Sequence, residues 1–262
     1  MDIPECTIYT LMADAALRHP HLPAYEFLGR KVSFQTALLQ IDRIACGFSA
    51  IGIGRGDRVA ICLPNCPQAM LSFYALNRLG CVGVMLHPLS APAELASALE
   101  LTRAEVLLAP KKIADRVQPV CRKQLTAILV PLPGEIPTAR KAGQLSWHRM
   151  LAAGRQINLP PDCGQSRDPA LILFSGGTGG IPKAVLHTNR SCNAAALQLL
   201  QDCGLEQTEG LRMLSLLPLF HGFGLIVGIH TPLLGGACCV LIPRFHMKNL
   251  GLLLLKSLYV VQ

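Results

Sequence analysis

The sequence predicts an α/β protein, a parallel doubly wound sheet arranged in two βαβ-type sub-domains. Three observations predict it. Val59–Leu63 is a continuous apolar run with turn signals on both sides, GRGD before and PNCP after, as expected of a strand covered on both faces. Such runs then alternate with helical segments as far as Val130, and strand–helix–strand alternation is the mark of a parallel sheet. The same kind of pattern starts again at Leu171, after a stretch rich in proline, glycine and polar residues.

The elements follow in order from Asp57. After the first strand, Asn65 or Cys66 is placed to cap a helix with Pro67 in its first turn. Met70, Phe73, Tyr74 and Asn77 fall at helical spacing as that helix runs to Gly80. Val82–Leu86 reads as a second strand, about Pro92 to Leu101 as a helix, and Val106–Ala109 as a third strand. A basic, weakly helical stretch leads to a fourth strand at Thr126–Val130. Pro131–Pro169 reads as a connection with a short helix near Trp147–Ala153. The second unit is a strand at Leu171–Phe174, a glycine-rich loop, a strand at Ala184–His187 and a helix from Asn189 to Cys203 closed by Gly204. Leu214–Leu217 is a further strand, Phe223–His230 a helix and Ala237–Ile242 a last strand. The expected division is 1–160 and 161–262.

Composition limits the function classes. Over 262 residues, 51% are hydrophobic and 15% charged, with a mean hydropathy of +0.39, which suits buried sheets rather than a disordered or coiled-coil chain. The net charge is +8, and its excess lies between Arg103 and Arg155. Those charges are spread out and lack interleaved aromatics, so they read as a solvated surface and not as a nucleic-acid stripe. The eleven cysteines form no CxxC pair and no zinc-finger spacing, which fits reduced, buried thiols in a cytoplasmic protein. The N-terminus lacks the basic region of a signal peptide. Met213–Pro243 contains no Lys, Arg, Asp or Glu, longer than the ~20 residues of a spanning helix. Pro218, Pro232, His221, His230 and several glycines interrupt it, so the expectation is a buried helix followed by a buried strand. Peripheral contact with a membrane stays open, and the oligomeric state is not legible.

Phe174–Val185, reading FSGGTGGIPKAV, is the segment whose composition suits phosphate. Backbone amides freed by glycine approach an anion closely, Ser175 and Thr178 add hydroxyl donors, and Lys183 adds a point charge. Two common phosphate loops fail. A Walker loop reads GxxxxGK[ST] and opens into a helix; here Pro182 precedes Lys183, Ala184 takes the Ser/Thr position, and the following AVLHT reads as a strand. The dinucleotide pattern GxGxxG is absent. A plain glycine-rich turn between strands remains the bland reading, although an ordinary hairpin needs no such concentration of glycines and hydroxyls with Pro-Lys.

The loop resembles the phosphate-binding signature of the adenylate-forming superfamily, which includes acyl-CoA synthetases, peptide-synthetase adenylation domains and luciferases. Phe174, Ser175, Gly176, Gly177, Thr178, Gly180, Pro182, Lys183 and Val185 match it, while Gly179 stands where the family usually has a second hydroxyl. Gly56–Ser90 is similar to the first sub-domain of acyl-CoA synthetases, including its Leu-Pro-Asn turn. LLPLFHGFG, Leu216–Gly224, is similar to their Pro-x-Phe-His-x-x-Gly motif, and Gly235–Phe245 resembles the strand that follows.

The resemblance implies a two-step ligase using ATP, Mg2+ and CoA on a small carboxylic acid, with no nucleic-acid partner. Ser175, Gly176, Gly177, Thr178, Gly179, Gly180 and Lys183 would cradle the β- and γ-phosphates, and His221 would line the acyl pocket. The apolar Leu216–Leu234 region suggests a hydrophobic acid. A hydrogen-bonded core histidine is the competing reading of His221. Family features placed further along are not found: the Tyr-Gly-x-Thr-Glu segment, the ribose aspartate, the hinge and the lysine of the C-terminal domain. No Asp or Glu follows Glu209, so that stretch offers magnesium no carboxylate. The expectation is an incomplete N-terminal domain with the C-terminal domain absent, no catalytic residue assigned, and inactivity as it stands. The alternative is a non-catalytic nucleotide- or acyl-binding remnant, or a truncated gene product.

Overall fold

A computed structural model describes residues 2–135, 141–162, 164–175, 183–204, 209–243 and the backbone of 260–261. The chain order is α1 (Ile8–Arg18), β1 (Pro23–Phe27), β2 (Arg30–Ser33), α2 (Phe34–Ala50), β3 (Arg58–Ile61), α3 (Pro67–Arg78), β4 (Val82–Met85), α4 (Pro92–Thr102) and β5 (Val106–Ala109). It continues with α5 (Lys111–Val117), β6 (Thr126–Leu129), β7 (Gln144–Ser146), α6 (Trp147–Ala153), β8 (Pro169–Ser175), β9 (Lys183–Thr188), α7 (Asn189–Asp202) and β10 (Arg212–Ser215). A π-helix at Phe223–His230, α8 (Thr231–Leu234), β11 (Cys238–Leu241) and β12 (Val260–Val261) complete it.

Two sheets result. The larger has the order β7-β6-β5-β3-β4-β8-β9, parallel except for the β8–β9 pair. The smaller has the order β12-β10-β11-β1-β2, parallel except for the β1–β2 hairpin. Sheet membership cuts across residue 160. β8 and β9 complete the larger sheet, while β1 lies beside β11, with Tyr25 opposite Cys239.

The central strands of the larger sheet, β3 to β6, are mostly apolar and covered on both faces, whereas β9 at its edge is exposed from Lys183 to Leu186. Val59 and Ile61 of β3 pack with α2, α3 and α6, whereas Ala60 packs on the opposite face with Leu95 and Leu99 of α4. α2 is held at its start by Ser33, whose hydroxyl accepts from the Thr36 amide. Its Phe34, Ala37, Ile41, Ala45 and Phe48 are buried at helical spacing. At the junction of α1, α3 and α7, Asn77 accepts from the Tyr9 amide at 2.8 Å and donates to Asn189 Oδ1 at 2.7 Å. Asn189 in turn donates to the Gln165 carbonyl.

The charge-free stretch from Met213 to Pro243 folds as strand, π-helix, short α-helix and strand. Among the described residues no helix is long and apolar enough to cross a membrane. The ten described cysteines are free, six of them buried. Burial pushes the Cys62, Cys66 and Cys192 thiols up to about 12, which leaves them un-ionised and unreactive.

The π-helix ends on a fully buried histidine. Asn193 donates from Nδ2 to the Cys6 carbonyl at 3.1 Å, so its Oδ1 faces His230 and accepts from Nε2 at 3.1 Å. His230 Nδ1 is then the acceptor for the Tyr74 hydroxyl, also at 3.1 Å. Both ring nitrogens are satisfied by the neutral ring, and desolvation lowers the His230 pKa from 6.5 to about 3. Burial lowers that of His187 in the same direction. The unfolded chain therefore binds a proton that the folded chain refuses, and stability falls as pH drops below 6.5. Between pH 6.5 and 4.5 the loss from His230 is about 2 kcal/mol. Thermal melts across this interval check it. His230→Gln, which keeps a donor and an acceptor but does not titrate, should flatten most of the slope.

Candidate functional site

The site lies where the carboxyl ends of the parallel strands of both sheets face each other, the edge at which open α/β sheets bind ligands. The chain leaving β3 forms the Leu63-Pro64-Asn65 turn, and Asn65 is turned away from the helix it precedes. Cys66 is the N-cap residue of α3, without a side-chain capping bond. Asn65 instead reaches the loop that follows β10. Its Nδ2 donates to the Ser215 carbonyl at 3.2 Å and the Leu217 carbonyl at 2.9 Å, and its Oδ1 accepts from the Leu219 amide at 3.0 Å. One buried amide thus fixes the loop of one sheet against the turn of the other.

The same loop carries Phe220 and His221. Its backbone folds tightly enough to exclude a side chain at Gly224, where a Cβ would lie 2.1 Å from the Pro218 carbonyl oxygen. Ser215 donates from Oγ to the Gly228 carbonyl at 2.8 Å and so holds the π-helix to the strand before it. His221 is exposed, and its ring stacks at 4.8 Å on Phe220. A Cβ at the next residue, Gly222, would lie 3.0 Å from Leu173 of β8, so the loop runs close against the strand that enters the glycine segment.

That strand and its partner form a hairpin. β8 and β9 pair antiparallel over six registered positions, ending with Ser175 opposite Lys183. Both residues are exposed, and among the described residues no carboxylate pairs with Lys183. Gly176, Gly177, Thr178, Gly179 and Gly180 lie outside the described residues. The structure therefore brings Ser175 and Lys183 together at one end of a two-stranded ladder, with the His221 loop alongside β8. A hydroxyl and an uncompensated ammonium at the mouth of a hairpin suit an anion.

The sequence matches the AMP-binding enzyme family over residues 12–258. The chain belongs to that family. The AMP-binding chain is 27% identical over 267 residues to a long-chain-fatty-acid–CoA ligase of Bacillus subtilis (strain 168), covering 94% of this chain and 48% of the relative. It is 28% identical over 232 residues to 4-coumarate–CoA ligase 2 of Oryza sativa subsp. japonica, covering 84% of this chain and 40% of the relative. It spans about half the length of the curated relatives it matches. Among solved structures, the inhibitor-bound N-terminal domain of FACL13 from Mycobacterium tuberculosis superposes with a TM-score of 0.79 at 22% identity, over 95% of this chain and 60% of that one. Apo MatB from Rhodopseudomonas palustris gives 0.80 at 21% identity, over 98% and 49%. At such identities these likenesses establish the fold alone, an α/β domain of the adenylate-forming kind.

Asn65 is the residue of this candidate site that sequence reasoning passed over. Asn65 was legible only as a possible helix cap, since its true partners are about 150 residues away. Replacing Asn65 by Ala strands one buried amide and two carbonyls and should lower stability by about 2–4 kcal/mol. Asn65→Asp should be worse, because it sets a carboxylate against the two carbonyls. Chemical denaturation of the three chains measures both, and an Asn65→Ala chain as stable as the parent would show that water replaces the clamp.

Proposed function

We propose that this AMP-binding chain grips the triphosphate of ATP and one end of a hydrophobic carboxylic acid, as the adenylating part of an acid–thiol ligase. The observation that carries this reading is the hairpin end, with Ser175 opposite Lys183, which has no carboxylate partner among the described residues, and the His221 loop running along the same strand. The two relatives described above support it, since one is a long-chain-fatty-acid–CoA ligase and the other a 4-coumarate–CoA ligase.

In this reading a carboxylate oxygen of the acid attacks the α-phosphorus of ATP. The bond from that phosphorus to the bridging oxygen breaks, and pyrophosphate leaves with the electron pair. The sulfur of CoA then takes the acyl group, and AMP departs. Negative charge grows on the leaving pyrophosphate, so a fixed cation there stabilises the transition state more than the ground state. Lys183 supplies that cation and Ser175 a hydroxyl donor, while Gly176, Gly177, Thr178, Gly179 and Gly180 supply backbone amides and a second hydroxyl. His221 borders the acid and is given no proton-transfer role. Among the described residues no group of three His, Cys, Asp or Glu could hold a metal ion, so none of them is assigned to magnesium.

Two measurements test the reading. Lys183→Ala should weaken ATP roughly 10- to 100-fold, the worth of one charge-assisted hydrogen bond, and leave AMP nearly unchanged. Equal ATP affinity in the two chains removes Lys183 from the site. The ligase assignment is tested by ATP–pyrophosphate exchange with a long-chain fatty acid and with 4-coumarate. Both this chain and a version joined to the remaining half of a relative should be assayed. No exchange by either with any acid overturns it.

A further inference from the structure

His87 stands at the same edge and no role has been given to it. It follows β4, where the chain leaves the sheet. β4 pairs with β8, the strand that enters the glycine segment, with Gly83 opposite Leu171 and Val84 opposite Ile172. Its ring is fixed locally. Nδ1 accepts from the Leu89 amide at 2.9 Å, while the His87 carbonyl accepts from the Ser90 amide at 3.1 Å, so the neutral ring keeps its proton on Nε2. The exposed ring lies with its centroid 4.3 Å from that of Phe220, inclined by 42°. Phe220 lies 4.8 Å from His221, inclined by 50°. Three rings therefore form a row across the gap between the sheets, one from the larger and two from the loop of the smaller.

Asn65 and His87 divide the task. Asn65 holds the loop by its backbone, through Ser215, Leu217 and Leu219. The Phe220 ring beyond Leu219 packs partly buried against the core, whereas the His221 ring is exposed. Among the described residues neither ring nitrogen of His221 has a hydrogen-bond partner, and its ring contact is with Phe220. Phe220, besides its packing against the core, is in ring contact with His87. We propose that His87 is a positioning residue, acting through Phe220 to fix the orientation of the His221 imidazole at the mouth of the acid site. The link to the acid rests on the function proposed above; the ring-to-ring coupling does not.

The test uses the whole chain with histidine labelled at 13Cε1, its His221 resonance assigned by His221→Gln. His87→Ala should move and broaden the His221 signal, because Phe220 loses its backing and its ring current on His221 changes. His87→Phe restores a ring without the Nδ1 acceptor and should bring the signal back. His87→Asn keeps an acceptor for the Leu89 amide without a ring and should behave like Ala. Phe220→Leu should displace the signal with His87 in place. A His221 signal unmoved by His87→Ala, or restored by Asn and not by Phe, overturns the proposal. Titration with dodecanoate separates the two readings. Several-fold weaker binding to the Ala and Asn variants than to the parent and Phe chains supports a role at the acid site. If the parent chain binds no acid while the ring pattern holds, the acid-site reading fails and the positioning role stands.

Discussion

The architecture of the site depends on one side-chain amide. Two sheets whose carboxyl ends face each other leave a gap, and loops that border a gap have few apolar contacts to fix them. Asn65 supplies what burial cannot. As donor to two carbonyls and acceptor from one amide, it joins three backbone groups of the loop after β10 to the turn after β3. With the loop anchored there, Gly224 can make its close approach to Pro218, and the π-helix can begin where it does. A hydroxyl at this position, with one donor, would leave at least one of the two carbonyls unsatisfied, and an aliphatic side chain would leave all three groups so.

The larger sheet was legible because its signals are local. Apolar runs bounded by turns placed the strands of the larger sheet from β3 to β6 and the strands of the hairpin. Pro67 and Pro92 marked the starts of α3 and α4, and Gly204 the end of α7. The first fifty-six residues were read only for targeting signals, although α2 has a serine cap and buried residues at helical spacing. The hairpin of β1 and β2 had no such mark. Its turn places Leu28 at φ 49° and Gly29 at φ 79°, and leucine rarely takes that conformation, so the usual Asn-Gly signature is missing. The exchange of strands between the sheets could not be read at all, because pairing partners lie far apart in sequence.

The same division holds at the site. In FSGGTGGIPKAV, lysine spacing and the strand that follows excluded the Walker loop, a family resemblance supplied the rest, and the structure sets Ser175 opposite Lys183. His221 was singled out by its resemblance to a family motif, and the structure sets its loop beside β8. The clamp made by Asn65, the ring row through Phe220 and the buried Tyr74–His230–Asn193 chain are contacts between segments that sequence places apart. Each rests on ordinary residues whose chemistry becomes visible only once their neighbours are known.

The pairing of β1 with β11 also bears on how the chain assembles. Tyr25 leaves the ribosome more than two hundred residues before Cys239, its partner across the parallel ladder. The early hairpin has α2 to pack against, with the Tyr25 hydroxyl donating to Gln40 at 2.7 Å, but the parallel partner of β1 comes only after all the strands of the larger sheet. Completion of the smaller sheet is therefore a late step of high contact order. Until it occurs, the inner edge of β1 is an open template for pairing with another chain, which makes this the segment where nascent molecules are most exposed to aggregation.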